Sequence, residues 1–426
     1  MNNLNRRKFL KKTAAISAVT VLSPSVVFGS KANSAVQMGI IGCGSRGTTV
    51  ISSISRHTHT NVIAMADLFQ DRIDGSKDIL NKNNEKKGFP EIQKSKSFSG
   101  PDAYLRLIED KEVDAVLIST PAYAHAKILE AAVEAGKHVY CEKPVAPDVA
   151  GCKSVERAGR NIDGKLSVAI GFQIRYASPY VEMVHRIQRG DIGEIVTVEL
   201  NYLSSGMGIN DPGDMPYDEF RIRNHFHFRA MSGGILLDQG IHMLDVCNWA
   251  LDSHPLSAIG NGGKKAGPDW GDTWNNFQIL YKYPGDINVS IHSTQVGPQW
   301  GGVCARFIGT KGIAEAHYSG GVFINGENTW DSGILRHENQ EISQEKRAAG
   351  VFDSSLHDAD ANKDIHFIRS IESGNYINEI PSGVHSTLSA ILGRDAATSK
   401  QELSWDENYF SNSRLNPNLN ISPFNH

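Results

Sequence analysis

The sequence predicts a two-domain α/β protein: an N-terminal doubly wound parallel sheet, then an α+β domain with a large, mostly antiparallel open sheet. Three observations carry that expectation. Between residues 36 and 172, short Val/Ile-rich runs alternate with stretches of helical period, as buried parallel strands and their crossover helices do. Beyond residue 190 apolar and polar residues alternate instead, with Gly, Pro and Asn turns between the runs, which suits strands covered on one face. A glycine-rich turn, Gly42-Cys43-Gly44-Ser45-Arg46-Gly47, joins the first strand to the first helix.

The chain has 426 residues, enough for two domains with sizeable cores. Its net charge of -4 and lack of a basic block exclude nucleic acid and anionic membrane as principal partners. Five cysteines (Cys43, Cys141, Cys152, Cys247, Cys304) form no Cys-x-x-Cys or Cys-x-x-His pair, so neither a bound metal nor a disulfide framework is predicted. Residues 1–35 have a different character. Basic residues 6–12 around Arg6-Arg7, an apolar stretch 13–28 and small residues 32–35 have the layout of a cleaved twin-arginine export signal. Ser17, Thr20, Ser23 and Pro24 interrupt the apolar stretch, and no other segment is apolar for long enough to span a bilayer. The expected partner at this end is the twin-arginine export machinery, and the expected location is periplasmic or otherwise outside the cytoplasm.

Strands are predicted at 36–41, 61–66, 113–119, 138–141 and 166–171, and helices at 47–56, 70–82, 101–110, 122–135 and 147–161. Asp102, Ala122 and Pro147-Asp148 stand where helices start, and Gly136 where one ends. A helix at 179–188 leads into strands at 195–203, 258–261, 275–283, 288–294, 303–308 and 321–324, interrupted by a helix at 239–250. Residues 329–359 lack a period and read as a loop-rich excursion. Helices at 361–372 and 382–398 follow, and the Asn/Pro-rich tail reads as loosely held. The predicted units are 1–35 (signal), 36–172 (nucleotide-binding domain), 173–410 (α+β domain) and 411–426 (tail).

Gly42-x-Gly44-x-x-Gly47 has the spacing of a dinucleotide-binding turn, with Ser45 and Arg46 inside it. The first glycine makes the turn, the second lets backbone approach a pyrophosphate, and the third permits close helix packing. The phosphates then meet the positive end of the helix. Asp67 lies 20 residues beyond Gly47 at a strand end, where an acid binds the adenosine ribose hydroxyls. It also repels a 2′-phosphate, so NAD is expected and NADP is less favoured; Arg46 and Arg72 weaken that preference.

Ser119-Thr120-Pro121-Ala122-Tyr123-Ala124-His125 and Cys141-Glu142-Lys143-Pro144 resemble motifs of the glucose–fructose oxidoreductase/inositol dehydrogenase/rhizopine-catabolism (Gfo/Idh/MocA) family. The resemblance implies an N-terminal Rossmann domain, places Thr120, His125, Glu142 and Lys143 at the nicotinamide, and makes Lys143 an active-site lysine. Gly171-Phe172-Gln173-Ile174-Arg175-Tyr176 is similar to a family segment that would bring Gln173 and Arg175 to the substrate. Gly233-Gly234-Ile235-Leu236-Leu237-Asp238-Gln239-Gly240-Ile241-His242 is similar to its Gly-Gly-x-x-x-Asp-x-x-x-His pattern. The likeness runs over residues 36–410.

The residues carry a chemistry of their own. Taking hydride from an alcohol carbon needs an acceptor for the hydroxyl proton and a cation for the developing alkoxide. His242 suits the first role and Lys143 the second. Asp238, four residues before His242 and so on the same helix face, either orients it, binds a neighbouring hydroxyl or caps the helix. Tyr202, Tyr217, Arg221, Arg223, His225, His227 and Arg229 suit a sugar pocket, or equally a solvated loop; His225-Phe226-His227 alternates like a strand. Trp270, Trp274, Trp300 and Trp330 line the open sheet face or belong to core or subunit contacts.

Outside the cytoplasm a released NADH is lost. The expected activity is therefore NAD(P)-dependent oxidoreduction of a sugar or sugar derivative with a tightly held, internally recycled cofactor. The rival enzymatic reading is a redox-neutral glycosidase that passes through a 3-keto sugar. A non-catalytic nucleotide-binding module is the third, and Lys143, Asp238 and His242 stand against it. The open sheet leads to the expectation of a homo-oligomer.

Overall fold

A computed structural model describes residues 35–162, 164–210, 213–296, 302–334 and 355–424. Residues 1–34 of the predicted signal (1–35) and Trp300 lie outside the described residues. Six strands, β1 (Val36–Ile41), β2 (Thr60–Asp67), β3 (Ser97–Ser99), β4 (Ala115–Ile118), β5 (His138–Cys141) and β6 (Val168–Ile170), form a sheet ordered β3-β2-β1-β4-β5-β6. Every pairing in it is parallel. The strands are apolar on both faces because helices cover both, which is why they read as unbroken Val/Ile runs. β3 is three residues long, too short to leave a period in the sequence. The order reverses between β1 and β4, so the chain leaves those strands in opposite directions and opens a crevice at their carboxyl ends.

The crossover helices are α1 (Ser45–His57), α2 (Gln70–Glu85), α3 (Ala103–Ile108), α4 (His125–Glu134) and α5 (Val149–Arg160). Asp148 caps α5 by accepting the Gly151 N–H at 2.8 Å. A helix from far along the chain returns to this sheet: Phe367 and Ile368 of α10 (Ala359–Ser373) pack with Met38, Ile40 and Tyr140. The predicted boundary at 172/173 therefore does not separate everything that covers the first sheet.

The second sheet holds nine strands among the described residues, ordered β14-β13-β12-β11-β7-β10-β9-β8-β15. They are β7 (Ile195–Ser204), β8 (Ser257–Gly263), β9 (Asn276–Tyr283), β10 (Ile287–Gln295), β11 (Val303–Gly309), β12 (Gly312–His317), β13 (Val322–Gly326), β14 (Trp330–Asp331) and β15 (Leu403–Ser404). β7 and β10 run parallel and the remaining pairs antiparallel, so the sheet is mixed. On β9, Phe277, Ile279, Tyr281 and Tyr283 are buried while Gln278, Leu280 and Lys282 are exposed.

The helices of this half are α6 (Ser178–Gln188), α7 (Tyr217–Arg223), α8 (Arg229–Ser232), α9 (Ile241–Leu251), α11 (Ile380–Ser399) and α12 (Trp405–Ser411). Two anchors fix α9, the helix that carries His242 in its first turn. Asp245 takes a two-pronged contact from Arg175 at 2.9 Å on each side. Asn248 accepts the Tyr283 hydroxyl at 2.6 Å and donates to Ser389 of α11 at 3.1 Å. All five cysteines are buried, with no disulfide among them, and no described helix is long and apolar enough to cross a membrane.

α11 lies so close to the sheet that a Cβ on Gly393 would come within 2.0 Å of the Tyr281 hydroxyl oxygen. Gly393→Ala should therefore lower stability by about 1–3 kcal/mol, the range for an overpacked core. Adding Tyr281→Phe, which removes the nearest clashing atom, should recover part of the loss in denaturant unfolding. Equal stability of the single variant and parent would contradict the packing described.

Candidate active site

The crevice at the β1/β4 reversal widens into a cleft of about 1460 Å³ that reaches the second sheet. That exceeds the roughly 300–1,000 Å³ typical of a single small-molecule site and leaves room for a dinucleotide plus a second ligand. At one end lies the glycine turn. Gly42 has φ +97°, and a Cβ there would sit 2.5 Å from the Ser119 carbonyl. A Cβ on Gly47 would lie 2.1 Å from the Gly42 carbonyl, whereas one on Gly44 would meet nothing within 4 Å. Two glycines thus allow close packing and the third leaves an open approach. α1 starts here without a side-chain cap, and its first turn directs N–H groups and positive dipole into the cleft beside Ser45.

Asp67 ends β2 at the same rim. Its carboxylate accepts the Cys43 N–H at 2.7 Å and the Phe69 N–H at 3.0 Å, which fixes it while each oxygen keeps a lone pair for a hydroxyl. Burial pushes its pKa up. Arg46 does not stand at this rim as a counter-charge. Its guanidinium turns inward onto Glu142, at 3.0 Å through Nε and 2.8 Å through Nη2. The glycine cradle, uncapped helix and ribose-facing acid fit NAD, and the inward turn of Arg46 removes one of two cations expected to favour a 2′-phosphate.

Further in, His125 braces two turns. Its ring nitrogens lie 2.6 Å from the Thr120 carbonyl and 2.8 Å from the Pro144 carbonyl. The Lys143 ammonium donates to the Asp238 carbonyl and lies 3.7 Å from the Asp238 carboxylate. Asp238 belongs to a single π-helical turn, Leu236–Gly240, that runs into α9. Among the described residues its side chain makes no capping hydrogen bond and none to His242. Burial raises its pKa, against the pull of Lys143.

His242 is buried in an aromatic box, with ring centroids 6.2 Å from Phe172, 6.2 Å from Tyr202 and 6.3 Å from Tyr318. Its Nδ1 has no hydrogen-bond partner among the described residues. Burial first, then the charges of Lys143 and Arg46, holds its pKa well below 6.5. It is a neutral imidazole at neutral pH. Gln173 also lines the cleft, with a buried and unpartnered Oε1, as does Thr120 with its hydroxyl.

The sequence matches the Gfo/Idh/MocA oxidoreductase family, NAD-binding Rossmann fold, over residues 36–170. It matches the GFO/IDH/MocA C-terminal domain over residues 180–315, the two together covering more than half of the chain. The chain belongs to the Gfo/Idh/MocA family. Inositol 2-dehydrogenase 2 of Saccharopolyspora erythraea is 26% identical over 265 residues, which is 61% of this chain and 67% of the relative. Myo-inositol 2-dehydrogenase of Thermotoga maritima is 26% identical over 227 residues, 53% of this chain and 58% of the relative. The chain thus spans roughly three fifths of the curated relatives it matches. Among solved structures, apo scyllo-inositol dehydrogenase from Lactobacillus casei has a TM-score of 0.65 at 20% identity, covering 87% of this chain and 98% of that one. Aldose-aldose oxidoreductase from Caulobacter crescentus, complexed with glycerol, has a TM-score of 0.62 at 20% identity, covering 87% and 99%. These structures share the fold.

Several residues of this Gfo/Idh/MocA chain take places other than those predicted. Arg175 is spent on Asp245 and does not line the cleft. Arg223 lines it, but its guanidinium is already bound to Asp71 at 2.9 and 2.8 Å and to Glu219 at 2.8 Å, which uses three of its five N–H donors. His225-Phe226-His227 is a short 3-10 turn, not a strand, because Asn224 and His225 start consecutive turns. His225 lines the cleft, and burial pushes its pKa down to about 4. His227 faces away, against Trp270 at 5.1 Å. Trp270 packs on Phe220 and Phe228, Trp274 on Phe277, and Trp330 lies under Arg186 at the sheet edge. Cys304, Glu315 and His317, on β11 and β12, bring one ligand atom each within 4.8 Å, with Arg306 already on the Glu315 carboxylate at 2.6 Å. Spacing did not reveal Tyr318 or Ile421, which also line the cleft.

The cradle separates two glycine effects. Gly44→Val should weaken NAD binding by at least about tenfold, near 1.4 kcal/mol, with little change in the melting temperature of the nucleotide-free protein. Gly47→Ala should lower both. Titration by protein fluorescence and a parallel thermal melt would distinguish them, and normal NAD affinity in Gly44→Val would contradict the open approach.

Proposed function

We propose that this chain is an NAD-dependent oxidoreductase of polyhydroxylated rings, an inositol-like polyol or a sugar derivative, exported folded with its cofactor held and recycled in place. The supporting observation is that Lys143, from the nucleotide-binding half, meets Asp238 and stands in one cleft with His242 from the other half. The similarity to inositol dehydrogenases favours the same substrate class. Bound NAD supplies the hydride acceptor. The protein supplies the rest: neutral His242 takes the alcohol proton, and the Lys143 ammonium favours the alkoxide that this leaves. Asp238, with its carboxyl pushed up by burial, pairs with an adjacent hydroxyl, and Tyr202 and Tyr318 offer aromatic faces to the ring's C–H groups. The Arg6-Arg7 signal supports export by the twin-arginine route. With no free cofactor pool outside the cytoplasm, each oxidation is followed by reduction of a second sugar or ketone in the same cleft.

Protein purified without added nucleotide should release NAD on denaturation, and a suitable polyol should raise the absorbance of its bound reduced nicotinamide. Absence of nucleotide would remove the captive-cofactor reading, and cleavage of aryl glycosides without net redox change would favour the glycosidase reading. His242→Ala and Lys143→Met should each lower kcat by about 10²–10⁴-fold, the usual contribution of a positioned proton acceptor or donor, while keeping NAD. Because His242 must be unprotonated to act and its pKa is depressed, activity should persist as pH falls through 6.5 and be lost only at more acid pH. An acid limb centred at or above 6.5 would contradict His242 as the acceptor.

The uncovered face of the second sheet carries Ile259, Leu280 and Ile313, which are 47%, 59% and 38% exposed. Ile259 and Leu280 are cross-strand partners. This face is the proposed contact between copies of the chain. Leu280→Arg should reduce the oligomer to a smaller species in light scattering without loss of bound NAD.

A further inference from the structure

We infer that the C-terminal tail, residues 412–424, is part of the nucleotide site: with α7 it forms a clasp over the adenosine end that retains the cofactor. The inference rests on the reading above that NAD stays bound. Two large apolar clusters lie against the sheets, but a third does not. It gathers Phe69, Phe220, Ile222, Phe228, Met231 and Phe424 from three distant stretches of the chain, at 69, 220–231 and 424. Its place explains it. Phe69 follows Asp67 by two residues and is hydrogen-bonded to it, Phe424 packs edge-on against Phe69 at 5.3 Å, and Phe69 and Ile421 both line the cleft. The cluster therefore sits where the ribose-binding acid puts the adenosine.

The tail is fastened along its length, contrary to the expectation from its Asn/Pro-rich composition. The Ser413 carbonyl accepts the Ala150 N–H at 3.1 Å, and Asp148, which caps α5 with one oxygen, accepts the Leu415 N–H at 2.7 Å with the other. Arg221 donates to the Pro417 carbonyl at 2.6 Å, and Asp218 accepts the Asn420 N–H at 2.9 Å. On its other side α7 is tied to α2: Arg223 holds Asp71 and lies over the Phe69 ring at 4.2 Å. α7 thus joins the tail to the two elements that flank the adenosine end. The apolar side chains Leu419, Ile421 and Phe424 all turn to this one place. An ordinary chain end with few apolar contacts frays; this one closes a ligand site, so nucleotide leaves only when the clasp opens.

The test compares the parent, an Ile421→Ser/Phe424→Ser double variant, an Arg221→Ala variant and an Arg414→Ala control in the exposed part of the tail. NAD bound per chain is counted after purification without added nucleotide, and its release is followed into buffer containing an NAD-consuming enzyme. The double variant and Arg221→Ala should release NAD at least about tenfold faster, equivalent to about 1.4 kcal/mol, and Arg414→Ala should match the parent. Release from both within about twofold of the parent, near 0.4 kcal/mol, would overturn the clasp. If the parent itself carries no nucleotide, the captive-cofactor reading fails, yet the clasp still requires a tenfold weaker NAD Kd in the variants by fluorescence titration. Equal Kd values would overturn it. A melt of each nucleotide-free variant identifies general unfolding, and Arg221→Ala tests the same claim through the hydrogen bond to the tail, with every apolar side chain of the cluster kept.

Discussion

The contact between the Lys143 ammonium and the Asp238 turn is what the rest of the site depends on. Lys143 leaves the end of β5 in the nucleotide-binding half, and Asp238 opens the helix that carries His242 in the other half. A half-buried ammonium needs acceptors, and it finds a main-chain carbonyl and a carboxylate on one residue. Its charge adds to burial, the larger cause, in holding the His242 pKa down. One interaction thus joins the halves and, on the proposed function, leaves a cation beside the place where an alkoxide would form. Arg46, bound to Glu142 next to Lys143, adds to the same field from behind.

The backbone that makes this contact is a π turn. Widening one turn from four to five residues releases a carbonyl from the regular ladder, and such turns recur at functional sites. Gly233 and Gly234, with φ +84° and +90°, precede it, and Gly240 closes it where a Cβ would strike Leu236 at 2.7 Å. The residues of the motif were legible in the sequence, but the turn type was not. The two hydrogen-bond patterns differ by one residue, and a five-residue stretch has no period to reveal which one forms.

The same limit explains what else the sequence concealed. β1, α1 and β2 could be read almost residue by residue, since glycine sterics and the spacing to Asp67 are local constraints. Arg175 and Arg223 looked like substrate ligands because residue type shows what a cation can bind, not which carboxylate lies beside it. Asp245 and Asp71 are 70 and 152 positions away in the chain, and only Glu219 is local to Arg223. The tail failed as a prediction for a related reason. Composition reports how little apolar surface a segment has, whereas its anchoring is decided by where Leu419, Ile421 and Phe424 land.

The two ends of the cleft therefore answer to different demands. Contacts at the adenosine end are far from any reacting carbon and are the same before and during a chemical step. They strengthen binding uniformly, which lengthens residence without raising turnover. On the proposed function, Lys143 and His242 act at the other end, where charge changes as an alcohol is oxidised, and only there do interactions distinguish a transition state. A soluble dehydrogenase that exchanges its cofactor every cycle gains nothing from a tight adenosine end, because slow release would limit its turnover. A chain that must keep one nucleotide through export and many paired oxidations and reductions gains directly from it. On the proposed function, Phe424 on Phe69 and Arg223 on Asp71 belong to retention, and the Lys143–Asp238 turn belongs to chemistry. Their separation across one cleft lets each be strong without compromising the other.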